Sequence, residues 1–391
     1  MLSRDRVVAA ICHEEPDKIP IFDPYGVYPP TADKVLGRPC VATHSLRGLD
    51  LIIKGKIEKY RKIIIKDWYE IVKKIKFDAG PILKGYSPVE GFCFSASKIK
   101  IIDKNIWKID DSTYRYIPES GVTLEVDSKI KREGLSAFEE YVKELKEESD
   151  EEIEESILHF QEYDEYLSKL WKKIGVLIYV DVGQTIPIDT SWFTIFLKSL
   201  YLKPDIAKLY LKEKTRRIIK LIDIAKDFGA ELFYIGGDIA SKNGPIISPK
   251  QYHDFILPEI KIQVDFIHKK GLFAFNSSDG NLWPIIEDFL INSEVDGMME
   301  IQTTAGMDLN KLKDLYGDKI CFQGGVDCQY TLVFSDVNNV MKETKRAIDI
   351  LSIGGGHILS SSNSIHPGVK PGNFFAMINT ARKYGVYNKA F

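Results

Sequence analysis

Residues 231–238 (ELFYIGGD), 271–279 (GLFAFNSSD) and 295–302 (VDGMMEIQ) decide how the fold is read. Each is a short apolar run without period-two alternation, and each closes on a carboxylate or amide, in the first two beside glycine or serine. Such continuous runs suit strands buried on both faces, as in a parallel sheet covered by helices. Between the first two, Ser248-Pro249 opens a stretch of helical spacing that runs towards His268, with Gly271 just beyond its end.

The same unit recurs in both directions. Upstream lie residues 18–23 (KIPIFD), 77–83 (FDAGPIL) and 175–184 (GVLIYVDVGQ); downstream lie 319–327 (KICFQGGVD) and 357–363 (HILSSSN). Pro204-Asp205 opens a helix with Ile218, Leu221, Ile222 and Ala225 on one face, closed near Gly229, and Asp336 and Pro371 start two more. Eight strand–helix units predict an α/β fold, a (β/α)8 TIM barrel, over a doubly wound open sheet. The whole of 1–391 reads as one domain. An insertion at approximately 84–150, after the second strand, carries β-hairpins around 92–126 and an acidic helix over 143–155 (KELKEESDEEIEE), which reads as a solvated face.

With 391 residues, 44% of them hydrophobic, the chain can bury a large core, which excludes general disorder. A net charge of -3 gives no global attraction for nucleic acid or anionic membrane. The five cysteines form no CxxC pair, and no run reaches membrane-spanning length, so a cytoplasmic protein is expected. Of 53 basic residues only 11 are arginine.

In barrels of this type the C-terminal ends of the strands form the pocket. Reading each run to its end gives Asp23, Asp181 with Gln184, Asp238, Asn276 with Asp279, Glu300 with Gln302, Gln323 with Asp327, and Asn363; Asp78 lies inside the second run. Polar groups recurring around one rim predict a polar cavity. Carboxylates gathered in a low-dielectric mouth must bind a metal, hold protons or meet a cationic ligand. Asp238, Asp279 and Glu300 come from three consecutive strands and are the expected catalytic acids, or ligands of a divalent metal such as zinc. His366, in NSIHPGVKP after the last strand, is a rim residue suited to proton transfer or binding; His13, His253 and His268 read as structural. Dinucleotide, P-loop and nucleophile-elbow motifs are all absent.

These residues carry a family resemblance. The opening HEEPDKIPIFD, then GPIISPKQYHDFILPEIK, SSDGN, YGDKICFQGGVD and the final SSSNSIHPGVKPGNFFAMINTARKYG resemble the uroporphyrinogen decarboxylase superfamily, weakly over 84–150. The resemblance implies the same barrel. It also implies an arginine-rich segment after the first strand in true decarboxylases, yet no arginine occurs between Arg6 and Arg38, and their C-terminal histidine falls at Asn363. A substrate with eight carboxylates needs such cationic forks. Relatives that methylate coenzyme M hold zinc with H-x-C and a later cysteine; the matching positions are Ser277, Asp279 and Asn363.

What is left resembles the corrinoid-dependent methyltransferases of the O-demethylase type. That implies transfer of a methyl group from a small methylated donor, preferably an aryl methyl ether, to the cobalt of a corrinoid (cobamide) carried by a partner protein. Uroporphyrinogen-type decarboxylation, or a non-catalytic corrinoid- or tetrapyrrole-binding barrel, is the alternative. The expected pocket lining is Tyr25, Asp78, Tyr86, Asp181, Gln184, Asn276, Gln323, Asn363 and His366, with Tyr28 and Phe92 as further aromatics. The expected partners are the corrinoid protein and the small substrate, with no nucleic acid or membrane, and a homodimer is left open.

Overall fold

The computed structural model describes residues 1–43, 46–82, 99–158 and 161–387. A seven-stranded parallel sheet runs in the order β1 (Ala79–Pro81), β6 (Leu177–Asp181), β7 (Leu232–Gly236), β10 (Phe273–Ser277), β11 (Gly297–Met299), β12 (Cys321–Val326) and β13 (His357–Ser361). Helices intervene between most of its strands, the TIM-barrel type of arrangement. Of the expected helix starts, Pro204 and Pro371 sit in the first turn of Pro204–Asp227 and Pro371–Tyr384, and Asp336 accepts from Asn339 N–H at 2.9 Å to cap Val337–Leu351. Ser248 forms a capping box with Gln251.

The expected first strand, residues 18–23, is not a strand, and the sheet has seven members. The cause is local. Pro20 has no N–H to give, and Ile21 N–H goes to the Asp78 carboxylate at 2.9 Å instead of to a ladder carbonyl. The segment still lies between the two edge strands. Leu359 N–H donates to Pro20 O at 2.9 Å, Asp78 N–H donates to Ile21 O at 3.0 Å, and Ile21 and Leu359 form an isolated parallel bridge.

Inside the sheet, Phe22 and aromatic side chains of three strands pack into a floor, mostly edge to face. Phe22 and Tyr179 lie 5.5 Å apart, Tyr179 and Tyr234 5.6 Å, and Tyr234 and Phe275 6.0 Å between ring centroids. Buried hydroxyls need partners. Tyr179 donates to Pro24 O at 2.9 Å, and Tyr234 to Gln323 Oε1 at 2.6 Å.

Between β1 and β6 the insertion forms an antiparallel sheet of β2 (Lys100–Asp103), β3 (Ile106–Ile109), β4 (Ser112–Ile117) and β5 (Val122–Asp127), as the hairpin reading of that region expected. The acidic stretch 143–155 is two helices, not one. Leu135–Glu147 ends at an extended Glu148, and Asp150–Leu158 restarts where Ser149 and Glu152 exchange hydrogen bonds at 2.8 and 3.2 Å. Its acids are not simply solvated. Asp150 and Glu154 pair with Lys220 of Pro204–Asp227 at 3.0 and 2.7 Å. β8 (Ala240–Ser241) and β9 (Gly244–Pro245) form a small hairpin after β7. Among the described residues no helix is long and apolar enough to cross a membrane.

Candidate active site

Four of the expected residues, Tyr25, Asp279, Glu300 and Asn363, and one unexpected one, Ser277, meet in one hydrogen-bonded network. β11 ends at Met299, and Glu300 follows with φ 68°, a left-handed backbone that L-residues adopt only at a cost of about 1–2 kcal/mol. The turn leaves the Glu300 carboxyl buried among hydrogen-bond donors. Asn363 Nδ2 donates to Oε1 at 2.7 Å, and Ser277 Oγ and Tyr25 Oη lie within hydrogen-bond distance of Oε2, at 2.7 and 3.0 Å. Tyr25 Oη and Ser277 Oγ are themselves 2.6 Å apart. Asn363 gives its second hydrogen to Asp279 Oδ2 at 3.3 Å.

A buried carboxyl flanked by two others resists ionisation. Burial first, then Asp238 and Asp279, hold Glu300 well above the usual carboxylate range. Burial, with Asp279 next, pushes Asp238 up to about 7, and burial raises Asp181 to about 6. Asp279 is also raised by burial, against the hydrogen bond from Asn363. Asp189, in the loop after β6, adds to the repulsion on Asp238 and Asp181. Among the described residues none of Asp181, Asp238, Asp279 and Glu300 has a lysine or arginine ion-pair partner. The site is acidic, and burial with mutual repulsion biases its carboxyls towards the protonated form.

The glycines beside the acids have a steric reason. Gly237 has φ 104°, and a Cβ there would stand 1.8 Å from Gln184 Oε1, the atom that accepts from Asp238 N–H at 2.9 Å. Gln184 therefore places the Asp238 backbone.

Other expected pocket residues have different work. Asp78 precedes β1, at the opposite end of the sheet, where it binds Arg6 at 2.5 Å; as a pocket residue it is corrected. Asn276 is corrected too. Side chains alternate along β10, so Ser277 and Phe275 point inward while Asn276 points out, donating to Phe289 O at 3.0 Å. Gln323 lies in the floor, held by Tyr234 and by Phe22 O at 3.2 Å. His366 has both ring nitrogens engaged by backbone, at 3.1 Å from Gly368 N and 3.0 Å from Cys328 O, which makes it a loop clamp and not a proton carrier. Asp23 accepts from Ser361, Asp327 caps the turn at Tyr330 and Thr331, and Gln302 brackets Gly280 N–H and Gln329. Tyr28 is buried in packing. Tyr86 and Phe92 lie outside the described residues.

Ser277 and Asp189 are the site residues that strand-end reading missed. The two-residue period of β10 contains the signal for Ser277; nothing in the loop after β6 marks Asp189.

The expected metal does not fit. Both Glu300 oxygens are already engaged by neutral hydrogen-bonding groups, and among the described residues no three carboxylate, thiolate or imidazole groups converge as an ion requires.

The profile described as Uroporphyrinogen decarboxylase (URO-D) matches residues 190–384. The uroporphyrinogen decarboxylase of Chlorobium luteolum is 22% identical over 193 residues, 48% of this chain and 51% of that protein. The enzyme of the same name from Chlorobium phaeovibrioides is 23% identical over 193 residues, again 48% and 51%. The chain spans about half the length of the curated relatives it matches. A methyltransferase from Methanosarcina mazei superposes with TM-score 0.66 at 15% identity, covering 98% of this chain and 99% of that one, which is a likeness of fold. Over residues 190–384, just under half of its length, the chain is thus similar to the uroporphyrinogen decarboxylase family.

Proposed function

We propose that the protein is the substrate-side methyltransferase of a corrinoid system, taking a methyl group from a small methylated donor, preferably an aryl methyl ether, to the cobalt of a corrinoid carried by a partner protein. One observation carries this reading: a cluster of carboxyls, Asp238, Asp279 and Glu300, gathered without basic partners, whose burial and mutual repulsion raise their pKa values. The reduced corrinoid supplies the nucleophile. What this chain must supply is relief for the leaving oxygen, because an ether releases a phenolate or alkoxide, a poor leaving group unless it gains a proton in the transition state. Carboxyls with raised pKa values donate that proton near neutral pH. The fold resemblance to a methyltransferase agrees with this but does not carry it.

Decarboxylation is the second reading, favoured by the matched relatives. Against it, burying a polycarboxylate in a mouth of acids adds like-charge repulsion with no guanidinium to offset it. The test mixes the purified chain with a reduced corrinoid protein and a panel of methyl ethers, and follows cobalt methylation by absorbance. Methylation with one donor supports the proposal. Methylation with none, together with porphyrinogen decarboxylation, transfers the function to the second reading; neither activity with retained tetrapyrrole binding leaves a binding protein.

A further inference from the structure

We infer that Tyr25 is the group that hands the proton to the leaving oxygen, and that Glu300 acts behind it as the proton source, through a ring of three oxygens closed by Ser277. The inference rests on the methyl-transfer reading above, and counting hydrogens leads to it. Glu300 Oε2, Ser277 Oγ and Tyr25 Oη make three mutual contacts, at 2.7, 2.6 and 3.0 Å. At such distances each contact needs a hydrogen between its oxygens. With Glu300 ionised, the ring has two hydrogens, those of the two hydroxyls, and one contact is left as bare lone-pair repulsion. With Glu300 protonated, there are three hydrogens for three contacts.

Geometry also fixes which carboxyl oxygen holds the proton. Asn363 Oδ1 accepts from Ser364 N–H at 2.6 Å, so the amide nitrogen is the end that faces Glu300. An amide nitrogen only donates, so Oε1 is an acceptor and the proton sits on Oε2. There it points at the two hydroxyls and nowhere else. Ser277 and Glu300 are buried, whereas Tyr25, on the turn after residues 18–23, is half-buried and is the ring member nearest solvent.

The step then balances. The donor's O–CH3 bond breaks with both electrons staying on oxygen, and the methyl carbon bonds to the acceptor's nucleophilic electron pair. The leaving oxygen takes the Tyr25 proton; Tyr25 takes one directly from Glu300 Oε2, or from Ser277, which in turn takes the Glu300 Oε2 proton; by either route Glu300 alone is left ionised until a proton returns from solvent. Tyr25 remains a phenol between turnovers, since burial and the acids around it hold its pKa well above the usual value.

Two measurements test this. In the first, Tyr25→Phe is compared with wild type across aryl methyl ethers whose phenols differ in acidity. The expected result is a loss of about 100-fold in kcat/KM for weakly acidic phenols, shrinking towards none for strongly acidic ones. An equal loss across the series, or no loss, overturns the role of Tyr25. The second needs no methyl donor: infrared spectra at pH 8 should show a protonated carboxyl band that vanishes in Glu300→Gln and shifts in Tyr25→Phe and Ser277→Ala. Absence of the band overturns the ring even if methyl transfer is confirmed. Its presence in a protein that methylates nothing upholds the ring's proton inventory, sinks the functional reading and removes the donor role of Tyr25 with it.

Discussion

Asn363 holds Glu300 and Asp279 together, one amide hydrogen on each, at 2.7 and 3.3 Å. It joins β13 to the acids following β10 and β11 without charge. The site therefore has a cross-link of neutral hydrogen bonds where a metal would otherwise neutralise the acids.

Removing that cross-link has a directional result. Asn363→Ala leaves Glu300 Oε1 without its donor and lets the proton occupy either oxygen, a loss worth about 1–3 kcal/mol for a buried acceptor. We expect methyl transfer to fall roughly 10- to 100-fold, with the high-pH limb of the rate profile displaced. Unchanged rate and profile would show that Asn363 does not position Glu300.

Asp238 makes the folded state less stable as pH rises. Its pKa is about 7 folded against 3.8 in the unfolded chain, so the folded state binds more protons between those values and stability falls across that window. Above about pH 7 the penalty is constant; below about pH 4 it is gone. Asp238→Asn removes it, and urea unfolding should find the variant more stable by about 1–3 kcal/mol at pH 8 and by little at pH 4. Equal effects at both pH values would show that the gain is not electrostatic.

How much of this was legible in the chain depends on what each signal encodes. Apolar runs with capped helices between them located all seven strands, because burial on both faces leaves a compositional mark that survives without coordinates. The run at 18–23 carries the same mark, and its Pro20 was the visible warning that no ladder would form. Asp238, Asp279 and Glu300 were legible as strand ends. Asp78 was misplaced because it stands before its strand, and a carboxylate at the wrong end joins the ion pairs of the base. Asn276 was misplaced by one residue of alternation, the shift that exchanges inside for outside. Asp189 and the Tyr25–Ser277 contact were not legible at all: residues 252 positions apart meet only through the closure of the fold.

The hydrogen-bonded state of the acids predicts indifference to metal. Chelator dialysis followed by assay in metal-free buffer should leave methyl transfer within about twofold of the untreated protein, and added zinc should not raise it. Loss on chelation with recovery on zinc would show that the carboxyls rearrange around an ion and that the neutral network is not the working state.

Arg6 and Asp78 offer a test of the two ends of the molecule. Arg6 is buried and divides its guanidinium between Asp78, at 2.5 Å, and Asp17, at 2.7 and 2.9 Å; Asp78 also receives Ile21 N–H at 2.9 Å. Replacing Arg6 with methionine keeps the volume but strands a buried carboxylate, which costs about 3–5 kcal/mol where the charge has no other partner. Asp17 is partly exposed and loses little. We therefore expect Arg6→Met to unfold at markedly lower urea concentration, while the protein that stays folded at low temperature keeps its KM and rate profile. Asp78→Asn should likewise lower stability, because Ile21 N–H and Arg6 both face a neutral amide, and should leave substrate binding unchanged. A raised KM with normal stability in Asp78→Asn would return this residue to the pocket and overturn its assignment to the base of the sheet.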